Sequence, residues 1–244
     1  MLCGTNMTDI KISNRSAILR LLHEAGAMSR KQIAARLKLT PATITVIINE
    51  LMNESILVEG NSVPNAGAVG RREVMVEISR EKYVALGLAL SQGLVKFTVV
   101  NLHGEIIHEE TFKLPEILTP EYFAETIGRQ IQLKIASYGY SENFIIGIGI
   151  TVCGVVDFAN GIILDSDGIW EEKNVPIVKM FRKQFSFPVI AANNVRSYAN
   201  AYAFLQHDSQ LQNMLFIRNE ATMGVSLILN GQFYGGDRNL AAGI

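Results

Sequence analysis

The chain has 244 residues, 48% of them hydrophobic and 18% charged, and carries a net charge of −1. That composition belongs to folded domains rather than to a disordered chain, and the length admits two of them. No apolar run reaches the roughly 18 residues of a membrane span, residues 1–11 hold no basic-then-apolar leader, and Cys3 and Cys153 are too few for a disulfide framework, so the expectation is a cytoplasmic protein without a membrane partner.

The charge is unevenly spread. Residues 1–80 hold ten Lys/Arg and seven Asp/Glu, whereas residues 81–244 hold twelve and sixteen. A modestly basic head on an acidic body is compatible with a head that meets phosphate. In that head, Ile18, Leu21, Leu22 and Ala25 sit at helical spacing within residues 14–25, and Gly26 is placed to cap the helix. Ser29 and Gln32 form a capping-box pattern that opens a short helix burying Ile33, Ala34 and Leu37. Thr40 then caps a helix with Pro41 at its first position, over residues 41–53, which buries Ile44, Ile47, Ile48 and Leu51. Two helices around a three- or four-residue turn make a helix-turn-helix. Residues 56–59 and 74–78 read as strands, and the glycine-rich stretch between them, tipped by Arg71 and Arg72, reads as a basic wing. Residues 1–80 are therefore expected to be a winged helix-turn-helix that binds double-stranded operator DNA.

The face opposite the apolar stripe of the third helix carries Ala42, Thr45, Val46, Asn49 and Asn53. Small side chains let the helix approach base edges, Thr and Val can meet a thymine methyl, and Asn49 can pair with adenine. Thr40 and Thr43 complete the set of candidates at the helix start. This helix has no Lys or Arg, so phosphate contacts fall to Arg30, Lys31, Lys38, Arg71 and Arg72. The plainer alternative is a three-helix bundle for protein contacts whose charges are merely solvated.

From residue 81 onward the pattern changes. Residues 83–90, 94–101 and 105–112 read as strands, with His103-Gly104 as a turn signal, and residues 120–138 as an amphipathic helix carrying Phe123, Ile127, Ile131 and Ile135. Strands at 144–152, 189–192, 214–217 and 225–229 and helices at 175–185 and 194–205 complete a mixed α/β body.

Residues 147–157 (G-I-G-I-T-V-C-G-V-V-D), Trp170, Asn174-Val-Pro176, Pro188-Val-Ile-Ala-Ala-Asn-Asn194 and Gly224 to Asn230-Gly231 resemble the segments of the ROK family of repressors and sugar kinases. The resemblance implies an actin-like, ribonuclease H-like domain over residues 81–244, a small sugar effector, a homodimer when full length, and xylose-type repressors as one similar subgroup. Within it, Asn193 and Asn194 occupy the positions of sugar contacts, and both offer donors and acceptors to hydroxyls. They can equally cap the helix that follows. Trp170 is expected in the core.

Several positions depart from that pattern. Asn194 stands where kinase members have the aspartate general base, and an amide cannot accept the proton. Ala89 stands where the first phosphate loop has a carboxylate, residues 221–225 (A-T-M-G-V) replace the second phosphate loop, and Glu73 replaces the proline that ends the wing. The expectation is a kinase-inactive sensor, with an ATP-dependent sugar kinase bearing a DNA-binding head as the alternative. No catalytic residue and no metal ligand is assigned, because the cysteines and histidines lack zinc spacing. The resemblance would put the family's zinc ligands beyond Ile244, so the chain is expected to lack part of its second lobe and to be weakly stable over residues 207–244.

Overall fold

The structure is a computed structural model that describes residues 6–60, 73–115, 118–205, 212–219 and 223–236. It divides into two compact units, Met1–Tyr83 and Val84–Ile244.

The first unit runs α1 (Met7–Ala25), β1 (Met28–Ser29), α2 (Arg30–Leu37), α3 (Pro41–Asn53), β2 (Leu57–Glu59) and β3 (Met75–Ile78). Ile18, Leu22, Ile33, Ile44, Ile48, Leu51 and Val76 are fully or almost fully buried and form its core. The expected caps are present. Gly26 has φ 74° and donates its N–H to Leu22, and Ser29 and Gln32 bond each other reciprocally. The Thr40 hydroxyl accepts from the Thr43 N–H at 3.2 Å. Lys38, in left-handed conformation, starts the three-residue turn between α2 and α3.

Two features differ from expectation. α1 begins at Met7, two turns ahead of the apolar pattern, because its exposed first turns carry no hydrophobic period and start instead from the Asn6 cap. The strands form a three-stranded antiparallel sheet ordered β1-β3-β2, in which Met28 pairs with Val76 and Ser29 with Met75. A two-residue strand is too short to show a period of two. The proposed wing tip, with Arg71 and Arg72, lies outside the described residues.

The second unit opens with β4 (Val84–Ser91), β5 (Leu94–Asn101) and β6 (Ile106–Lys113), then α4 (Pro120–Ser137) and β7 (Ile145–Val152). It continues through β8 (Val155–Asp157), β9 (Ile162–Asp165), α5 (Ile177–Phe181), β10 (Val189–Asn193), α6 (Asn194–Leu205), β11 (Met214–Asn219), β12 (Met223–Leu229) and β13 (Gln232–Phe233). The main sheet is ordered β10-β7-β4-β5-β6. β7 is parallel to both β4 and β10, and β4-β5-β6 is an antiparallel meander. Phe123, Ile127, Ile131 and Ile135 of α4 join Leu88, Phe97, Ile150 and Phe181 in one core. Trp170 is buried there, 5.6 Å from the Phe123 ring.

A second antiparallel sheet is ordered β11-β12-β13. Its β12–β13 hairpin turns on Asn230 (φ 51°) and Gly231 (φ 73°), as a two-residue turn with two positive φ angles requires.

The helix expected over residues 175–185 contracts to Ile177–Phe181. Val175 exchanges backbone hydrogen bonds with Ile163, which holds it extended. At the other end Gln184 leaves the helix and donates its side-chain amide to Ala124 of α4. The β8–β9 hairpin was not apparent in the sequence. Its strands are three and four residues long, and Gly154 at its entrance has φ 104°.

Candidate DNA-binding and sugar-binding sites

In the first unit the outward face of α3 is open. Ala42, Thr45, Asn49 and Asn53 are exposed, and Val46 is 57% exposed, a large fraction for a branched aliphatic side chain on an ordered helix. Thr43 is half-buried, and its hydroxyl shares a 2.9 Å hydrogen bond with that of Thr40, so both are engaged in the cap. The Thr45 hydroxyl donates to the Pro41 carbonyl at 2.8 Å, which leaves its methyl as the group available to a base edge.

Arg30 and Lys31 are the first residues of α2. Arg30 reaches α3, where its Nη2 donates to Asn49 Oδ1 at 3.2 Å and to Met52 Sδ at 3.5 Å. Its Nε is buried without a partner among the described residues. A depression of about 400 Å³ lies beside this contact, lined by Arg30, Lys31, Ala34 and Ala35 from α2 and by Pro41 and Thr45 from α3. Lys31 and Lys38 are exposed. The structure thus gathers Arg30, Lys31, Thr45 and Asn49 around the α2–α3 groove, with Ala42 and Val46 on the same exposed helix.

Glu50 of α3 and Glu54, the residue that caps its C-terminal end, are held by α1. Arg15 binds Glu54 through both guanidinium ends, and Lys11 binds Glu50 at 2.8 Å. The hydrogen bond from Arg15 holds the Glu54 carboxyl below the usual range, against the opposing effect of burial. These two carboxylates, which would repel phosphate, are therefore paired within the unit.

In the second unit Asn193 and Asn194 lie at the joint between β10 and α6. Both polar atoms of the Asn193 side chain are engaged. Its Nδ2 donates to the Gly154 carbonyl at 2.7 Å, and its Oδ1 accepts from the N–H groups of Val195 (2.8 Å) and Arg196 (3.3 Å). It is a helix cap and a tie to the β7–β8 connection. Asn194 is 9% exposed and donates its Nδ2 to Cys153 Sγ at 2.9 Å. Its Oδ1 has no hydrogen-bond partner among the described residues. Gly154 is required at this joint, because a Cβ there would lie 2.2 Å from the Asp165 carbonyl oxygen. The roles of Cys153 and the Gly154 carbonyl carry no sequence signal, since residues about forty positions away select them.

Nearby, the Arg196 guanidinium lies over the rings of Phe158 (4.7 Å) and Phe233 (5.1 Å), and burial lowers its pKa. The Asp157 carboxyl is held below its ordinary range by the Asn160 side chain and backbone N–H. The turn after Ala89 is closed internally: Ser91 Oγ donates to Leu94 O, and Gln92 Nε2 to Asp167 O. Residues 221 and 222, in the stretch expected at the second phosphate loop, lie outside the described residues. Among those described, no three His, Cys, Asp or Glu side chains group as metal ligands, and no helix is long and apolar enough to cross a membrane.

Comparison with known proteins gives the same two-part division. A profile of the ROK family matches residues 86–244, and one of winged helix-turn-helix DNA-binding domains matches residues 13–58. The chain is 26% identical over 229 residues to the DNA-binding transcriptional dual regulator NagC of Escherichia coli (strain K12), covering 94% of this chain and 55% of that protein. It is 24% identical over 233 residues to a putative xylose repressor of Caldicellulosiruptor sp. (strain Rt8B.4), covering 95% and 57% respectively. The chain therefore spans little more than half the length of these relatives. In fold it is similar to the crystal structure of a ROK family transcriptional regulator described as a homolog of the E. coli MLC protein, with a TM-score of 0.78 and 22% identity over 96% of this chain and 58% of that one.

Proposed function

The chain belongs to the ROK family, and on that premise we propose that it is a sugar-responsive transcriptional repressor of carbohydrate-use genes. Its head binds double-stranded operator DNA, its body binds a small sugar in the cytoplasm, and the full-length protein acts as a homodimer. The observation that carries this reading is the exposed face of α3, with Val46 and Asn49 uncovered and Arg30 and Lys31 alongside. Two relatives are named as a DNA-binding transcriptional regulator and a putative xylose repressor, which supports a carbohydrate signal and makes xylose the first ligand to try.

Asn193 and Asn194 mark the proposed sugar site. The unpartnered Oδ1 of Asn194 is the atom best placed to accept from a sugar hydroxyl, while Asn193 shapes the joint and keeps only its second amide N–H unassigned. An amide at position 194 lacks the proton affinity of a general base, which supports a body that binds sugar without phosphorylating it. Sugar can change DNA binding only by favouring one of two conformations of the protein.

The test is fluorescence anisotropy of duplexes selected from a random pool. Affinity should fall steeply with salt, as phosphate contacts release counterions. Salt-insensitive binding, or a pool from which nothing is retained, would remove the DNA reading. A sugar panel followed by thermal shift tests the body, since a ligand of the native state raises the midpoint. Turnover of ATP with any hexose would replace the sensor reading with the kinase one.

A further inference from the structure

We infer that Arg30 and Asn49 act as one reading unit for guanine, and this rests on the DNA-binding function proposed above. From sequence alone, Asn49 is a candidate adenine reader and α3 has no cation with which to contact guanine. The geometry changes both points. A guanidinium can only donate, so the Asn49 atom facing Arg30 Nη2 at 3.2 Å must be its carbonyl oxygen. That fixes the amide orientation and leaves Nδ2, a donor, as the free group of an exposed side chain.

Arg30 contributes a second donor. Its Nη2 is occupied by Asn49 and Met52, and its Nε is buried against the protein. Nη1 has no hydrogen bond to any described residue, so its two N–H groups remain for a ligand. The joined pair therefore has free donors at Arg30 Nη1 and at Asn49 Nδ2. Adenine offers one acceptor (N7) and one donor (the N6 amine) in the major groove, whereas guanine offers two adjacent acceptors, N7 and O6. A two-donor surface matches guanine and opposes the adenine amine.

The arrangement also explains how a helix without Lys or Arg can still read guanine. The cation is supplied by the first residue of α2 and is held over the third turn of α3 by Asn49 and the Met52 sulfur. Because Asn49 is exposed, it can be altered without disturbing the core.

The experiment is selection of duplexes from a random pool by the 244-residue chain, repeated with Asn49→Asp and Arg30→Lys. Asn49→Asp keeps the oxygen that Arg30 binds and replaces the free donor by an acceptor. The wild-type pool should show a guanine at one position per half-site, preferred by roughly tenfold or more. Asn49→Asp should lose that preference at that position alone, and Arg30→Lys, which keeps the charge but not the fork, should weaken it. Replacing that guanine by 7-deazaguanine, which lacks the N7 acceptor, should lower wild-type affinity and leave Asn49→Asp nearly unaffected. Enrichment of sites whose base preference Asn49→Asp leaves unchanged, or of adenine at the position it controls, overturns the inference and leaves DNA binding standing. Failure to enrich any duplex overturns both.

Discussion

Asn49 and Asn193 are the same residue type beside helices in the two units, and the structure uses them in opposite ways. Asn193 spends its amide on Gly154 and its oxygen on two backbone N–H groups of α6. Asn49 spends its oxygen on one arginine and keeps its amide free at the surface. The first therefore contributes mainly to stability, and the second is free to contribute to recognition. What separates them is the number of hydrogen-bonding atoms the fold leaves over, a quantity that residue type and local spacing do not contain.

The strongest way to test the structural half of this contrast is at Gly154. Its φ of 104° and the 2.2 Å approach to the Asp165 carbonyl leave no room for a side chain. Gly154→Ala should cost roughly 1–3 kcal/mol for the backbone conformation alone, and Trp170, the only tryptophan of the chain, would report it as an earlier urea midpoint. An unchanged midpoint would mean that the β7–β8 connection is not anchored as described. Asn193→Ala should cost about 1–2 kcal/mol through loss of the cap, whereas Asn49→Ala should stay within about 0.5 kcal/mol, as exposed substitutions do. Equal losses at the two positions would break the comparison.

Thr40→Ala should remove about 1 kcal/mol from the start of α3, read as lower helicity of the head on heating. Because the Thr40 hydroxyl is engaged in the cap, its loss should weaken DNA binding without changing base preference. The smallest effect is electrostatic. The Glu54 carboxyl has a lowered pKa in the folded head because Arg15 binds it. Its contribution is therefore present above the unfolded pKa and is lost as pH falls through the folded one. With the Glu54 side chain 44% exposed, solvent limits this to under about 1 kcal/mol. Glu54→Gln should flatten the acid limb of the head's stability curve by that amount, and added salt should shrink the difference.

The head was legible in the sequence because its signals are local. The Ser29–Gln32 box, Thr40 before Pro41, and the Ile44, Ile47, Ile48 and Leu51 stripe all act within one or two helical turns. The same holds for α4 and for the Asn230-Gly231 turn. The candidate sites were legible only as positions. The Arg30–Asn49 contact spans 19 residues and the Asn194–Cys153 contact spans 41, and neither lies within any periodic pattern. The contracted α5 has the same cause, since Val175 is claimed by Ile163 across the chain.

The contacts of Arg196 with two rings give the body an interaction whose response to ionic strength differs from that proposed for the head on DNA. Its guanidinium rests against the faces of Phe158 and Phe233, with no carboxylate ion pair among the described residues. Ring quadrupoles act at contact distance, well inside the roughly 10 Å over which dissolved ions screen charge at 0.1 M. Salt that loosens arginine and lysine from a phosphate backbone therefore leaves this tie between the β8–β9 turn, α6 and β13 near full strength. On the proposed function, the salt that releases the head from DNA would leave this contact in the body intact.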